Sequence, residues 1–151
     1  MKTIRKSGRH DILRVTLRAN GLRVTPQREV IYDELARSGD HPSAEQLHAE
    51  VRRRLPNVSL DTVNRTLMTF SRIGLADVVV GHGGPRRYDP EMSTHHHIHC
   101  VICGGIHDFC NSEFDALEIP ADIRRRFKVL SKRVVVSGIC PQCSRLRNRG
   151  K

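Results

Sequence analysis

Tryptophan is absent from this sequence, aromatic residues amount to 4%, and the hydrophobic fraction is 38%. A chain so poor in large apolar side chains cannot build a deep core. At 151 residues it is one ordinary domain or two small ones, and two small units would each bury a low fraction of their surface. A second unit would then need a staple, either a metal or a dimer interface. No apolar run reaches the length of a membrane span, and the opening Met1–Leu13 lacks the apolar centre of a signal peptide. The expectation is a cytoplasmic protein with no membrane partner. Acidic residues are also scarce: 16 Asp and Glu against 26 Lys and Arg leave a formal charge of +10. That balance favours a polyanionic partner, because cationic side chains release the counterions condensed on a phosphate backbone.

The first half reads as helices. Residues 11–20 form a helix that stops at Asn20-Gly21. Thr25 then caps a second helix with Pro26 in its first turn, and Val30, Ile31 and Leu35 supply the buried stripe. Ser43-Ala44-Glu45-Gln46 has capping-box form, with Ala44, Leu47 and Val51 at helical spacing before Leu55-Pro56. Ser59 caps a fourth helix whose apolar face is Leu60, Val63, Leu67 and Phe70, and whose opposite side carries Thr62, Arg65, Thr66 and Thr69. Gly74 closes it. Val78-Val79-Val80, a turn at Gly81–Gly84 and Arg86–Asp89 then make a hairpin. Two successive helices followed by a hairpin form a winged helix-turn-helix, with residues 59–73 in the recognition position. A small helical domain without a DNA role is the competing reading, and the basic balance weighs against it.

The pattern changes at about Glu91. A strand (95–102), a tight turn, a strand (105–110), a helix (112–127), a strand (128–139) and a basic tail follow, with Pro90–Ser93 as hinge. The fold class is therefore α+β, with an N-terminal winged helix over 1–90 and a C-terminal α/β unit over 91–151. No internal repeat or low-complexity segment is present.

Four of the five cysteines form two C-x-x-C pairs, Cys100/Cys103 and Cys140/Cys143. In a reducing compartment these read as metal ligands before disulfides. Each pair is expected at a tight turn that aims both sulfurs at one centre. Two such turns make a tetrahedral thiolate cage suited to structural zinc, leaving no position for water or substrate. Such zinc contributes on the order of 10 kcal/mol or more to folding. A redox pair and an iron centre are the alternatives. Cys110 stands alone and reads as a small packing residue.

His95-His96-His97-Ile98-His99 runs directly into Cys100. Alternate strand residues share a face, so His95, His97 and the next alternate residue, His99, project together while His96 points away. Asp89 and Asp108 offer carboxylates, and His41 or His107 another imidazole. Imidazole with carboxylate and no sulfur suits Fe(II), Mn(II) or Zn(II). The competing reading is a solvated histidine run with incidental metal affinity.

Taken together, Gly21–Arg28, His41-Pro42-Ser43-Ala44-Glu45, Pro56–Val63, Gly74-Leu75, the H-x-H-x-x-C-x-x-C-G stretch from His95 to Gly104 and the closing Cys140-x-x-Cys143 resemble the ferric uptake regulator (Fur) family over nearly the whole chain. The resemblance implies a winged-helix DNA-binding domain, a C-terminal α/β dimerisation domain, and a homodimer on a pseudo-palindromic double-stranded operator. It implies structural Zn(II) on the four cysteines. It also implies a regulatory Fe(II) or Mn(II) on His41, Asp89, His95, His97 and Asp108 that draws the domains into a DNA-competent form. Asp108 resembles the peroxide-sensing PerR branch, where iron-sensing members usually carry Glu. In that branch peroxide oxidises the histidines matching His41 and His95 and DNA is released. An iron-responsive repressor is the alternative. A zinc-responsive regulator fits less well, because Arg87-Tyr88-Asp89-Pro90 brings no cysteine to the site. Thr94 and Lys132 stand where an extra metal site of some iron regulators has histidines. Among DNA contacts, Arg23 matches a minor-groove residue and Arg65 a base-contacting one, Thr62 lies beside them, and Asn64 replaces a frequent tyrosine.

A metallohydrolase would also use an H-x-H strand, but it needs an open coordination position, a general acid or base and a cleft. Nothing beyond the ligands suggests one. A metal-storage module explains the histidines and leaves the capped recognition helix and the wing without a purpose.

Overall fold

Oxygen caps and glycine stops set the helices of the first half. The computed structural model describes residues 6–79 and 84–149, and the chain divides into two compact units, Met1–Met92 and Ser93–Lys151. Unit 1 comprises α1 (Lys6–Ala19), α2 (Pro26–Arg37), α3 (Ala44–Val51), α4 (Leu60–Arg72), β1 (Asp77–Val79) and β2 (Arg87–Asp89). Helix α1 starts earlier than expected and ends before Gly21, whose φ of +69° suits a residue without a Cβ. The Thr25 hydroxyl accepts the Arg28 N–H at 3.3 Å, and the Ser59 hydroxyl accepts the Thr62 N–H at 3.1 Å. At α3 the capping box is complete: Gln46 N–H donates to Ser43 Oγ at 3.3 Å, and Ser43 N–H donates to Gln46 Oε1 at 2.9 Å.

The main apolar core lies in unit 1, where Leu13, Leu17, Ile31, Leu35, Leu47, Val51, Val63, Leu67 and Phe70 are buried. Two expectations change. Tyr32 joins the core edge-on to Phe70, with ring centroids 5.6 Å apart, while Val30 is only partly buried. On α4, Leu60 is 39% exposed and Thr66 is buried in its place. Leu60 opens the helix at the margin of the apolar arc, whereas Thr66 lies between Val63 and Phe70. Strands β1 and β2 pair antiparallel, Val78 against Tyr88, as the wing's hairpin requires. Val80 and most of the expected turn lie outside the described residues.

Unit 2 contains β3 (His96–Cys100), β4 (Ile106–Phe109), α5 (Ser112–Asp115), α6 (Ala121–Arg126), β5 (Val135–Gly138) and α7 (Pro141–Arg149). The sheet order is β4-β3-β5, with β4 antiparallel and β5 parallel to β3. The expected 112–127 helix is two pieces, because Pro120 lacks an N–H and disfavours helix at Ile119. The expected 128–139 strand shrinks to β5. The basic tail is helix α7, opened by Pro141 at a position where the missing N–H costs nothing. Among the described residues of this unit, the buried set is Cys100, Ile106 and Cys143 with His95, His96, His97 and His99. Its interior consists of metal-binding chemistry more than of apolar packing.

Candidate metal centres and nucleic-acid face

Strand β3 ends at Cys100 and the chain turns at once: Gly104 N–H returns to Cys100 O at 2.9 Å, with Gly104 at φ +69°. This places Cys103 beside Cys100. The parallel neighbour β5 delivers Cys140, and Cys143 sits in the first turn of α7, so the second pair occupies a helix start and not the tight turn expected. One ligand atom from each of the four cysteines lies within 4.8 Å of the others. Cys103 Sγ and Cys140 Sγ are 3.9 Å apart, and two sulfurs held about 2.3 Å from one tetrahedral ion are separated by about 3.8 Å. The donor set and its spacing therefore fit a closed four-thiolate centre. Backbone N–H groups of Cys103 and then Cys140 draw the Cys100 thiol down to about 6. Hydrogen bonding to the Cys140 thiol, followed by burial, pushes Cys143 up to about 12. One anion is favoured and its neighbour keeps its proton, as crowded sulfurs do without a cation. Cys110, expected to pack inside, is exposed at the end of β4.

In unit 1, His41 has a φ of +47°, a conformation uncommon outside glycine. It is over-determined by β2. Arg87 donates from Nε to His41 O and from Nη2 to Asp40 O at 2.8 Å, and Tyr88 N–H donates to Pro42 O at 3.1 Å. Strand β2 thus clamps the loop that bears His41 while presenting Asp89. His41 Nε2 and Asp89 Oδ2 lie 3.8 Å apart, both buried. That separation is too long for a hydrogen bond. It is close to the spacing, on the order of 3–4 Å, of two ligands each about 2.0–2.2 Å from one ion.

In unit 2, His95 Nε2 and His97 Nε2 approach to 3.0 Å, and Asp108 Oδ1 lies 3.4 Å from His97 Nε2 and 3.9 Å from His95 Nε2. The β3–β4 register pairs His97 with Asp108, which puts imidazoles and carboxylate on one face. His99 shares that face, its ring centroid 6.5 Å from His97. His107 pairs with Ile98 on the opposite face and is exposed, so it does not join this group. Each set is imidazole and carboxylate without sulfur.

His96 points away from this face, as alternation requires, and is fully buried. Its Nδ1 accepts the Val134 N–H at 3.2 Å, and its Nε2 lies 3.2 Å from Asp115 Oδ1 without the geometry of a hydrogen bond. The Val134 carbonyl in turn accepts the His97 N–H at 3.1 Å. Lys132 Nζ donates to Asp115 O at 2.5 Å and also to Leu117 O. The two bonds to Val134 tie β3 to the start of β5 and so set the outlook of His95 and His97. Sequence reasoning placed His96 correctly and missed this anchorage, which depends on a partner 38 positions away.

The opening of α2 and the outer side of α4 face each other across an open cleft of about 590 Å³, lined by Arg23, Arg28, Asp61, Thr62, Arg65 and Thr69 among others. Arg28, not singled out from sequence, extends Nη1 to Arg23 O at 2.5 Å and so arranges the arginine pair. Arg65 is 80% exposed and only loosely paired with Asp61 at 3.4 Å. Asn64 lies outside the cleft.

The ferric uptake regulator family description matches residues 19–137. The peroxide operon regulator of Bacillus subtilis is 35% identical over 133 residues, covering 88% of this chain and 92% of that protein. The peroxide-responsive repressor PerR of Staphylococcus epidermidis is 33% identical over 128 residues, covering 85% of each. Among solved structures, the Helicobacter pylori ferric uptake regulator Fur, which reveals three functional metal-binding sites, aligns with a TM-score of 0.77 at 27% identity over 95% of this chain and 97% of its own. With sequence and fold matching along most of their lengths, the chain belongs to the ferric uptake regulator family, whose members are transcriptional regulators and not enzymes.

Proposed function

We propose that this protein is a dimeric, metal-dependent repressor that binds a pseudo-palindromic double-stranded operator and releases it on exposure to peroxide. Regulators of this family bind DNA and are dimeric. The observation that carries the sensing role is the burial of His41, Asp89, His95 and His97, with the carboxylate of the more open Asp108 beside the last two. Burying ionisable groups costs free energy unless they are paired or hold a cation. We assign all five residues to one regulatory Fe(II) or Mn(II), with ligands drawn from both units, and the four cysteines to a structural Zn(II). Arg23, Thr62, Asn64 and Arg65 are assigned to DNA. Among the described residues no helix is long and apolar enough to cross a membrane, and a DNA-binding repressor works in the cytoplasm. The peroxide reading is supported by the peroxide-responsive relatives and by Asp108. A homodimer is supported by the apolar surface of unit 2, where Phe127 is 58%, Leu146 69% and Leu130 85% exposed.

Protein purified anaerobically should keep one zinc per chain through mild chelation. It should bind its operator only when Fe(II) or Mn(II) is added, and His97→Ala should abolish that dependence with the zinc intact. Arg65→Ala should weaken operator binding by about 1–3 kcal/mol and relax specificity. Operator binding that ignores added metal in the native protein overturns the sensing role.

A further inference from the structure

Helix α4 offers solvent two adjoining faces. Asp61, Thr62, Arg65 and Thr69 belong to the arginine-lined cleft. Beside them Leu60, Asn64 and Met68 follow at four-residue spacing, and such positions stack along one side of a helix. Leu60 is 39% and Met68 42% exposed, with Asn64 half-buried between them. Among the described residues, no hydrogen bond to the Asn64 carboxamide is present. The residue caps nothing, since Ser59 holds the N-cap, and asparagine inside a helix is less favourable than alanine or leucine. The fold gives no reason for an amide here.

Base chemistry supplies one. In the major groove adenine presents an acceptor at N7 beside a donor at N6, which a carboxamide meets with its own donor and acceptor in one plane. Guanine presents two acceptors, which suit arginine instead. The flanking Leu60 and Met68 have no polar group to offer and match the 5-methyl of thymine. Asn64 also lies within the first two turns of α4, the part of a recognition helix that reaches base edges. We propose that Asn64 reads an adenine in the major groove, within a run of A·T pairs, and is the residue of α4 that sets base preference there. The proposal rests on the DNA-binding reading above.

The test begins with half-sites recovered from a random duplex library by the native Mn(II)-loaded protein. Each adenine of the recovered site is then replaced in turn by 7-deazaadenine, which lacks N7. One adenine per half-site should lose about 5- to 150-fold in affinity, the cost of leaving the buried carboxamide N–H facing carbon in place of N7. Asn64→Ala should already show that loss and give no further response to the deaza base at that position. Arg65→Ala should still respond. Far-UV circular dichroism and zinc content confirm that both variants are folded. The assignment is overturned if no deaza substitution costs the native protein more than about 3-fold, well below that cost. It is equally overturned if Asn64→Ala responds as strongly as the native protein. If the native protein enriches no sequence, the DNA-binding reading fails and the adenine contact with it. The two failures are distinct, because the first leaves a recovered site and the second leaves none.

Discussion

At the scale of the residue, the thiols of unit 2 have a definite pH signature. Cys100 is held down to about 6 by the N–H groups aimed at its sulfur, against an ordinary value of 9.0. A thiol whose folded-state pKa is depressed contributes stability in full above the unfolded value and loses it as pH falls through the folded one. For Cys100 in the metal-free protein that contribution is complete above about 9 and disappears through about 6. Cys143 runs the other way, contributing below 9.0 and losing its share as pH climbs toward about 12. Protons compete with metal for thiolates, so zinc transfer to a chromogenic chelator should accelerate as pH falls. Loss of the folded signal of unit 2 should follow, since little apolar packing stands behind the cage. Cys143→Ser should fail to retain zinc at any pH. Zinc retained by Cys100→Ser as firmly as by the native protein would show that Cys100 is not a ligand.

At the scale of the element, the caps carry both stability and placement. The Ser43 capping box starts α3 immediately after His41-Pro42, so the same bonds that begin the helix anchor the loop bearing His41, a proposed sensing ligand. Ser43→Ala should lower the stability of the fold by about 1 kcal/mol in urea denaturation, and should weaken Mn(II)-dependent operator binding more than Thr25→Ala does. Equal effects of the two variants would separate the cap from the sensor. These caps were legible in the sequence because they are local: a hydroxyl and the N–H it accepts lie three residues apart. The C-x-x-C pairs and the alternation of His95, His96 and His97 were legible for the same reason. What depends on distant pairing was not. The β3–β4 register that sets Asp108 opposite His97, and the Val134–His96 anchorage, follow from how separate segments meet. Val129 and Leu130 look like strand residues, yet β5 begins only at Val135, where the chain reaches β3. Pro120 was visible and its break in the expected helix could have been read. The start of α7 was hidden by its basic composition, although Pro141 marked it.

At the scale of the whole molecule, the cation proposed above would take ligands from both units, so losing one ligand would bias the molecule globally. On that assignment, Asp108 is where the signal would be set. It lies on the edge strand β4 with its side chain partly open to solvent, 35% by area, while His97 beside it is 2% exposed. The carboxylate is therefore the accessible member of its set. A ferrous ion held by these residues would supply the electrons that reduce peroxide. The chain's part is to hold imidazoles close by and to leave room on the side of a short carboxylate. On the proposed assignment, oxygen added to His41 or His95 would weaken a nitrogen donor, loosen metal binding and so release DNA. In Fe(II)-loaded protein, low peroxide should add oxygen to peptides containing those histidines, and Mn(II) loading should protect them. Asp108→Glu adds one methylene and fills that room. It should keep metal-dependent operator binding while blunting release by peroxide. Oxidation of the zinc thiolates is the competing route, and mass spectrometry separates the two: oxygen on histidine with zinc retained marks the first, loss of zinc with modified cysteine the second. If peroxide releases DNA while both histidines stay unmodified, the protein reports iron level or senses through its thiols.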